Sequence, residues 1–376
     1  MQFIDLKAQY ERIKPQVDKA VIGAVESGKF IMGDEVKSLE KRLADFVGRK
    51  HCVTCSNGTD ALTLALKALG IGAGDSVFVP DFTFFASAET VAAAGATPVF
   101  ADIDPLTYNI SAESLTEKIE ETKANGRLNI KGIVTVDLFG QTADYDKILE
   151  IAEKYGLYVI EDGAQGFGGS LHNVRCGKFG DISCTSFFPA KPLGCYGDGG
   201  AVFTDDDNLC ELLRSYRVHG SSGDKYNNVR IGLNARLDTV QAAVLHCKLD
   251  IFEDELERRN RAAERYIKNL KDYMQVPVVI DGGFSSWAQF TVRVNPEHRA
   301  QIMAELKDMG IPTMIYYGKP MHLQGAFEYL GGKEGDFPEA EAASKSVMSL
   351  PMHPYLTDET VDFVSSGVIN MVEKYR

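Results

Sequence analysis

Apolar and polar positions along the chain follow two different periods. Short continuous apolar runs at 51–55, 76–80, 98–101, 132–136, 158–161, 184–187 and 200–203 predict strands buried on both faces, because a parallel strand covered by helices has no polar side to show. Between them lie helix-like stretches, such as the one carrying Ala61, Leu62, Leu64, Ala65, Leu66, Ala68 and Leu69 and ending at Gly70. This alternation predicts an α/β fold with a mainly parallel central sheet and helices on both faces. A long charged helix is expected from Leu249 to about Tyr273, with Leu249, Phe252, Leu256 and Leu270 among its apolar positions. The composition changes there, so residues 1–248 read as a large domain and 249–376 as a smaller α+β domain. In the smaller part, strands are expected at 275–280 and 289–294, and helices at 297–309 and 358–375.

Two glycine-rich stretches fall short of a dinucleotide loop. Gly70, Gly72 and Gly74 precede a strand instead of following one, which makes them a helix stop and a turn, and Gly166, Gly168 and Gly169 miss the required spacing. With 376 residues, 44% hydrophobic and 25% charged, the composition is that of an ordinary globular protein. A net charge of −13 argues against nucleic acid or an anionic membrane as partner, since both demand concentrated Lys and Arg. The start, MQFID, lacks a basic and apolar leader, and the apolar stretch 77–101 is broken by Pro80, Asp81 and Glu89, so a cytoplasmic protein is expected. Seven cysteines, an odd number, read as reduced thiols. Cys52 and Cys55 form a C-x-x-C, but residues three apart on a strand face opposite ways and no second ligand pair follows, so no metal site is expected.

Candidate chemistry concentrates just past the predicted strand ends. The stretch 186–201, SFFPAKPLGCYGDGGA, sets Lys191 among apolar residues and glycines. An ammonium in such surroundings is pushed toward the neutral amine, a nucleophile able to condense with an aldehyde. At 56–60 the sequence SNGTD opens a helix, and a helix start rich in small polar residues presents free N–H groups to an anion. The strand in 158–165, YVIEDGAQ, ends in Asp162, where a carboxylate can keep a pyridine nitrogen protonated. Asp144 and Asp146, by contrast, read as helix caps. Past the strand at 77–80 come Phe82, Phe84 and Phe85, any of which could stack on a flat ring. Phosphate cradle, ring, acid and lysine together suit pyridoxal phosphate.

In that order, and over essentially the whole chain from FIDL at 3–6 to SLPMHPY at 349–355, the sequence resembles the pyridoxal-phosphate-dependent nucleotide-sugar aminotransferases of the DegT type. The resemblance implies the aspartate-aminotransferase-like fold type I. It implies that Lys191 is the catalytic, Schiff-base lysine, that Asp162 binds the ring nitrogen and that Gln165 binds the phenolic oxygen of the cofactor. Phe84 would lie on the ring, and Gly58, Thr59 and Ser186 would hold the phosphate. Asn234, in GLNARLD at 232–238, would reach the phosphate of a neighbouring subunit, so a homodimer with shared sites is expected.

Many relatives carry His-Tyr-Pro-x-Pro where this chain has YYGKP at 316–320, followed by Met321 and His322. Tyr316, Tyr317 and His322 are expected at the sugar, and Arg236 at a negative group, either a substrate carboxylate or Asp238. L-glutamate is the implied amino donor. The wording around Lys191 and at 349–355 is most similar to enzymes that aminate carbon 3 of a UDP-linked 3-keto-2-acetamido-glucuronate, with other nucleotide-linked or free keto sugars as alternatives. Same-fold dehydratases replace the lysine with histidine, and a non-catalytic regulatory descendant would have no need of Lys191, Asp162 and Ser186 together.

Overall fold

A computed structural model describes residues 1–224 and 226–375. Twelve strands occur among them: β1 His51–Cys55, β2 Asp75–Pro80, β3 Thr97–Ala101, β4 Asn129–Val136, β5 Tyr158–Asp162, β6 Ser170–Leu171, β7 Val174–Arg175, β8 Ile182–Ser186, β9 Gly200–Thr204, β10 Gly283–Phe284, β11 Phe290–Arg293 and β12 Val347–Leu350. Seven form one sheet in the order β1-β9-β8-β5-β4-β2-β3. All pair parallel except β9, which runs antiparallel to both β8 and β1. Successive residues point to opposite faces. Val77 and Val79 therefore join one apolar cluster with Ile160, Ile182 and the helix Gly58–Ala68, while Phe78 joins another with Ile133, Val159 and the helices Ala112–Asn125 and Tyr145–Tyr155. Helices cover both faces, as fold type I requires.

A further cluster lies in the C-terminal third, where β11 pairs antiparallel with β12 and the helices Arg299–Asp308 and Asp358–Lys374 pack on them. Met321, Phe327, Phe337, Ala340 and Ala343, although late in the chain, pack into the first cluster beside the large sheet.

The charged helix expected from Leu249 to about Tyr273 is found as Phe252–Leu270, set off from a preceding helix, Thr239–Leu249, by a break at Ile251 (φ −111°, ψ 0°), while one strand expectation needs correction. The second helix restarts with Glu253, Asp254 and Glu255 in its first turn, where negative charge suits the helix dipole. Residues 275–280 form no strand. Pro277 cannot donate to a ladder, and the segment is held by a side chain instead: Gln141 Nε2 donates to the Val278 carbonyl at 2.9 Å and Gln141 Oε1 accepts from Ile280 N at 3.1 Å.

Candidate active site

The parallel strands deliver their carboxyl ends to one edge of the sheet, where ligands of open α/β sheets bind. Past β1, Asn57 caps the helix Gly58–Ala68 by accepting from Asp60 N at 2.8 Å, and its amide donates to Asp60 Oδ2 at 3.0 Å. The N–H groups of Gly58 and Thr59 donate to no protein acceptor among the described residues. The chain packs closely around them. A Cβ on Gly58 would lie 2.7 Å from Cβ of Ser186, at the end of β8, and a Cβ on Gly200 would lie 2.4 Å from the Asn57 carbonyl oxygen. Glycines at these two positions let β8 and β9 close tightly on a helix N-terminus with two free donors, the kind of backbone that binds anions.

Asp162 ends β5 on the same face as Ile160, buried to 6% exposure. Its Oδ2 accepts from Ser87 Oγ at 2.8 Å and its Oδ1 from Ala164 N at 3.2 Å. Burial lifts its pKa above the ordinary carboxylate value, against the Ser87 hydrogen bond and the charge of Lys191. Lys191 sits in a turn that follows β8, its N–H donating to the Phe188 carbonyl at 2.8 Å. Loss of water lowers its pKa from the usual 10.5, and only the Asp162 charge opposes that. Desolvation thus shifts both groups toward their neutral forms, and the charge of each opposes that shift in the other. Lys191 Nζ has no hydrogen bond or ion pair among the described residues.

Of the three phenylalanines past β2, Phe82 is core at 1% exposure and Phe85 packs on Phe327, whereas Phe84 stands 53% exposed. Phe84 is thus the ring free to stack on a ligand. Tyr317 lies against it, ring centroids 6.1 Å apart, and its hydroxyl accepts from Gln165 Nε2 at 2.9 Å. Gln165 Oε1 accepts from Phe139 N at 2.8 Å, which fixes the amide and leaves one of its hydrogens uncommitted. Burial raises the Tyr317 pKa, so the phenol stays protonated. Tyr316 is half-buried, tilted against Phe3.

The remaining expected residues lie differently. His322 is buried, with Nδ1 2.6 Å from Asp81 Oδ2 and Nε2 3.4 Å from Glu341 Oε1. Both ring nitrogens face carboxylates, so His322 fastens a loop and is not offered to a sugar. Asn234 is exposed, bridged through its backbone to Val218, and Arg236 is half-buried. Among the described residues neither contacts the Asp162–Lys191 pair, and Arg236 makes no ion pair with Asp238. Ser87, which holds Asp162, escaped notice in the sequence. Its signal was the spacing of Thr83 and Ser87 four apart around the exposed Phe84.

Behind β5, Asp137, Glu161 and Cys176 bring their ligand atoms within 4.8 Å of one another. Glu161 already accepts from Gly177 N at 2.7 Å, Phe179 N at 3.0 Å and Ser183 Oγ at 2.6 Å, while burial and Glu161 raise Asp137 strongly. Burial and the Glu161 charge favour a protonated Asp137, which makes it a poor metal ligand.

Fold and site together define an α/β enzyme with two free N–H groups at the start of the helix Gly58–Ala68 and a partly desolvated lysine coupled to a buried carboxylate. The sequence profile of the DegT/DnrJ/EryC1/StrS aminotransferase family matches residues 11–369, and the chain belongs to that family. It is 45% identical, over 98% of its length and 100% of the relative's, to a UDP-2-acetamido-2-deoxy-3-oxo-D-glucuronate aminotransferase of Pseudomonas aeruginosa. Its structure resembles a crystal structure of a family aminotransferase from Brucella abortus, with TM-score 0.96, 49% identity and 99% of each chain covered. It also resembles NtdA of Bacillus subtilis with bound PMP, with TM-score 0.90 and 29% identity over 99% of this chain and 85% of the other.

Proposed function

We propose that the chain is a pyridoxal-phosphate-dependent sugar aminotransferase that moves an amino group from L-glutamate to a UDP-linked 3-keto-2-acetamido sugar or its uronate, in the cytoplasm and as a homodimer. The observation that carries this reading is Lys191, half-buried and electrostatically coupled to the buried Asp162, at a sheet edge that also presents free N–H groups for a phosphate. The cofactor chemistry rests on NtdA with its bound PMP, and the acceptor on the Pseudomonas aeruginosa relative. No helix among the described residues is long and apolar enough to cross a membrane. Phe30, Ile31, Phe188, Val229 and Ile231 each expose a large apolar side chain, of the kind that a second copy would cover. Asn234 and Arg236 follow Val229 and Ile231 directly, which suits a role in the partner's site, with the Arg236 fork free for a uronate carboxylate.

Pyridoxal phosphate supplies an aldehyde to carry the amine and a ring to take up electrons when a C–H bond breaks. Gly58, Thr59 and Ser186 would hold its phosphate, and the exposed Phe84 would be free to stack on its ring. Asp162, buried at the end of β5, would pair with the ring nitrogen, and the positive charge there would favour its ionised form. Lys191 moves the proton: with its pKa lowered by lost water, the amine can accept a proton from the donor's carbon and deliver it a short distance away. Gln165, held by its bonds to Tyr317 and Phe139 N, would offer its remaining amide hydrogen to the cofactor's phenolic oxygen. The test is the visible spectrum of the protein with pyridoxal phosphate, before and after L-glutamate. A yellow band that bleaches supports cofactor and donor together, a band indifferent to glutamate removes that donor, and a colourless protein removes the reading. A screen of UDP-linked keto sugars then identifies the acceptor.

A further inference from the structure

Asp162 does not face the ring alone. Its Oδ2 accepts from Ser87 Oγ at 2.8 Å, and Ser87 Oγ lies 3.1 Å from Thr83 Oγ1. Thr83 and Ser87 are both fully buried. A carboxylate can only accept, so the single hydroxyl hydrogen of Ser87 is committed to Asp162, and Thr83 must then be the donor to Ser87. The chain has one direction, from Thr83 through Ser87 to Asp162. Each donor polarises the next, and in a dry interior such a chain acts more strongly than a lone hydroxyl. The same turn carries Phe84 outward between two inward hydroxyls, so one short segment, 83–87, sets both the ring's stacking partner and the carboxylate's hydrogen bonding.

Resting on the cofactor reading above, we propose that Ser87, backed by Thr83, is a positioning residue that withdraws charge from Asp162 and thereby leaves the shared proton on the ring nitrogen. A carboxylate stripped of a donor becomes the stronger base and draws that proton to itself. A ring without its proton is the poorer sink for electrons. The effect falls on the C–H step, not on binding, because Ser87 is buried behind Asp162 and reaches no substrate.

The experiment loads the holoenzyme with pyridoxal phosphate isotopically labelled at the ring nitrogen and follows that nitrogen by NMR, alongside kcat and KM with L-glutamate. In Ser87→Ala the resonance moves toward the unprotonated position and kcat falls roughly tenfold, the scale of one hydrogen bond to a charged group, with KM little changed. Ser87→Thr, which keeps the hydroxyl, restores both, and Thr83→Val gives a smaller shift in the same direction. An unmoved resonance in Ser87→Ala overturns the inference, whether or not activity or cofactor affinity drops, because that pattern describes a structural role. A wild-type protein that takes up no cofactor overturns the functional reading and this inference together, whereas normal loading with an unmoved resonance sinks only the latter.

Discussion

Asp81 and His322, 241 residues apart, form a buried clasp: Asp81 Oδ1 accepts from the His322 backbone N–H at 2.7 Å, and Oδ2 lies 2.6 Å from Nδ1. Asp81 opens the segment that carries Phe84, and His322 follows the loop that carries Tyr317. Two walls of the site are therefore tied through one imidazole.

The clasp should make stability depend on pH. Burial pulls the His322 pKa down, but hydrogen bonding to Asp81 and the charges of Asp81, Glu341 and Asp336 more than offset it, leaving a net rise. Burial also lifts Asp81, and the direction that matters near neutrality is that of the histidine. A folded pKa above the unfolded one, about 6.5, means the contribution is complete below that value and lost as pH rises through the folded value. His322→Gln should cost about 3–5 kcal/mol at mildly acid pH, as for one partner removed from a buried pair, and less in alkali. Urea unfolding of both proteins on either side of neutrality measures the gap. A gap that does not narrow would refute a charged clasp.

Lys191→Ala should abolish transamination while leaving the unfolding midpoint close to wild type, since Nζ has no hydrogen bond or ion pair for the fold to lose. Single-turnover mixing with L-glutamate checks it. Appreciable turnover would remove Lys191 from the mechanism.

Gly58→Ala places a Cβ 2.7 Å from Cβ of Ser186 and must part the helix start from β8. Overpacking of this kind costs about 1–3 kcal/mol. The larger effect is expected on cofactor affinity, read by titrating the apoprotein with pyridoxal phosphate. Unchanged affinity would place the phosphate elsewhere.

Phe82 and Phe84 offer a contrast within three residues. Phe82→Ala empties a fully buried site and should cost about 3–5 kcal/mol with or without cofactor. Phe84→Ala, at an exposed position, should change the unloaded protein by no more than about 0.5 kcal/mol yet shrink the rise in thermal midpoint that cofactor brings. Thermal melts of both variants, loaded and unloaded, separate core from site.

The sheet was legible because its strands are buried on both faces and read as unbroken apolar runs, Val77 to Val79 and Val159 to Ile160 among them. Asp162, Lys191 and Gly58 stood out as candidates in the sequence because they lie close after apolar runs, while Ser186 entered only through the family resemblance. What stayed hidden depends on distant partners. The segment 275–280 is apolar enough for a strand, but Gln141 takes its hydrogen bonds, which no local pattern announces. His322 resembled a ligand-binding residue because its neighbours in sequence are site residues, and only the fold brings Asp81 to it. Ser87 reads as a small residue near a helix start until β5 places Asp162 against its hydroxyl.

The helix Phe252–Leu270 enters two apolar clusters along its 19 residues, a length of about 28 Å at 1.5 Å per residue. Phe252 and Leu256 pack with Phe167, Phe187 and Phe203, while Ala263, Tyr266 and Leu270 pack with Phe290, Leu350 and Val364. Melting either cluster would strip one end of this helix and expose the wall of the other. The two halves of the molecule are thus bound into a single cooperative unit, and heat should unfold them together, in one calorimetric peak.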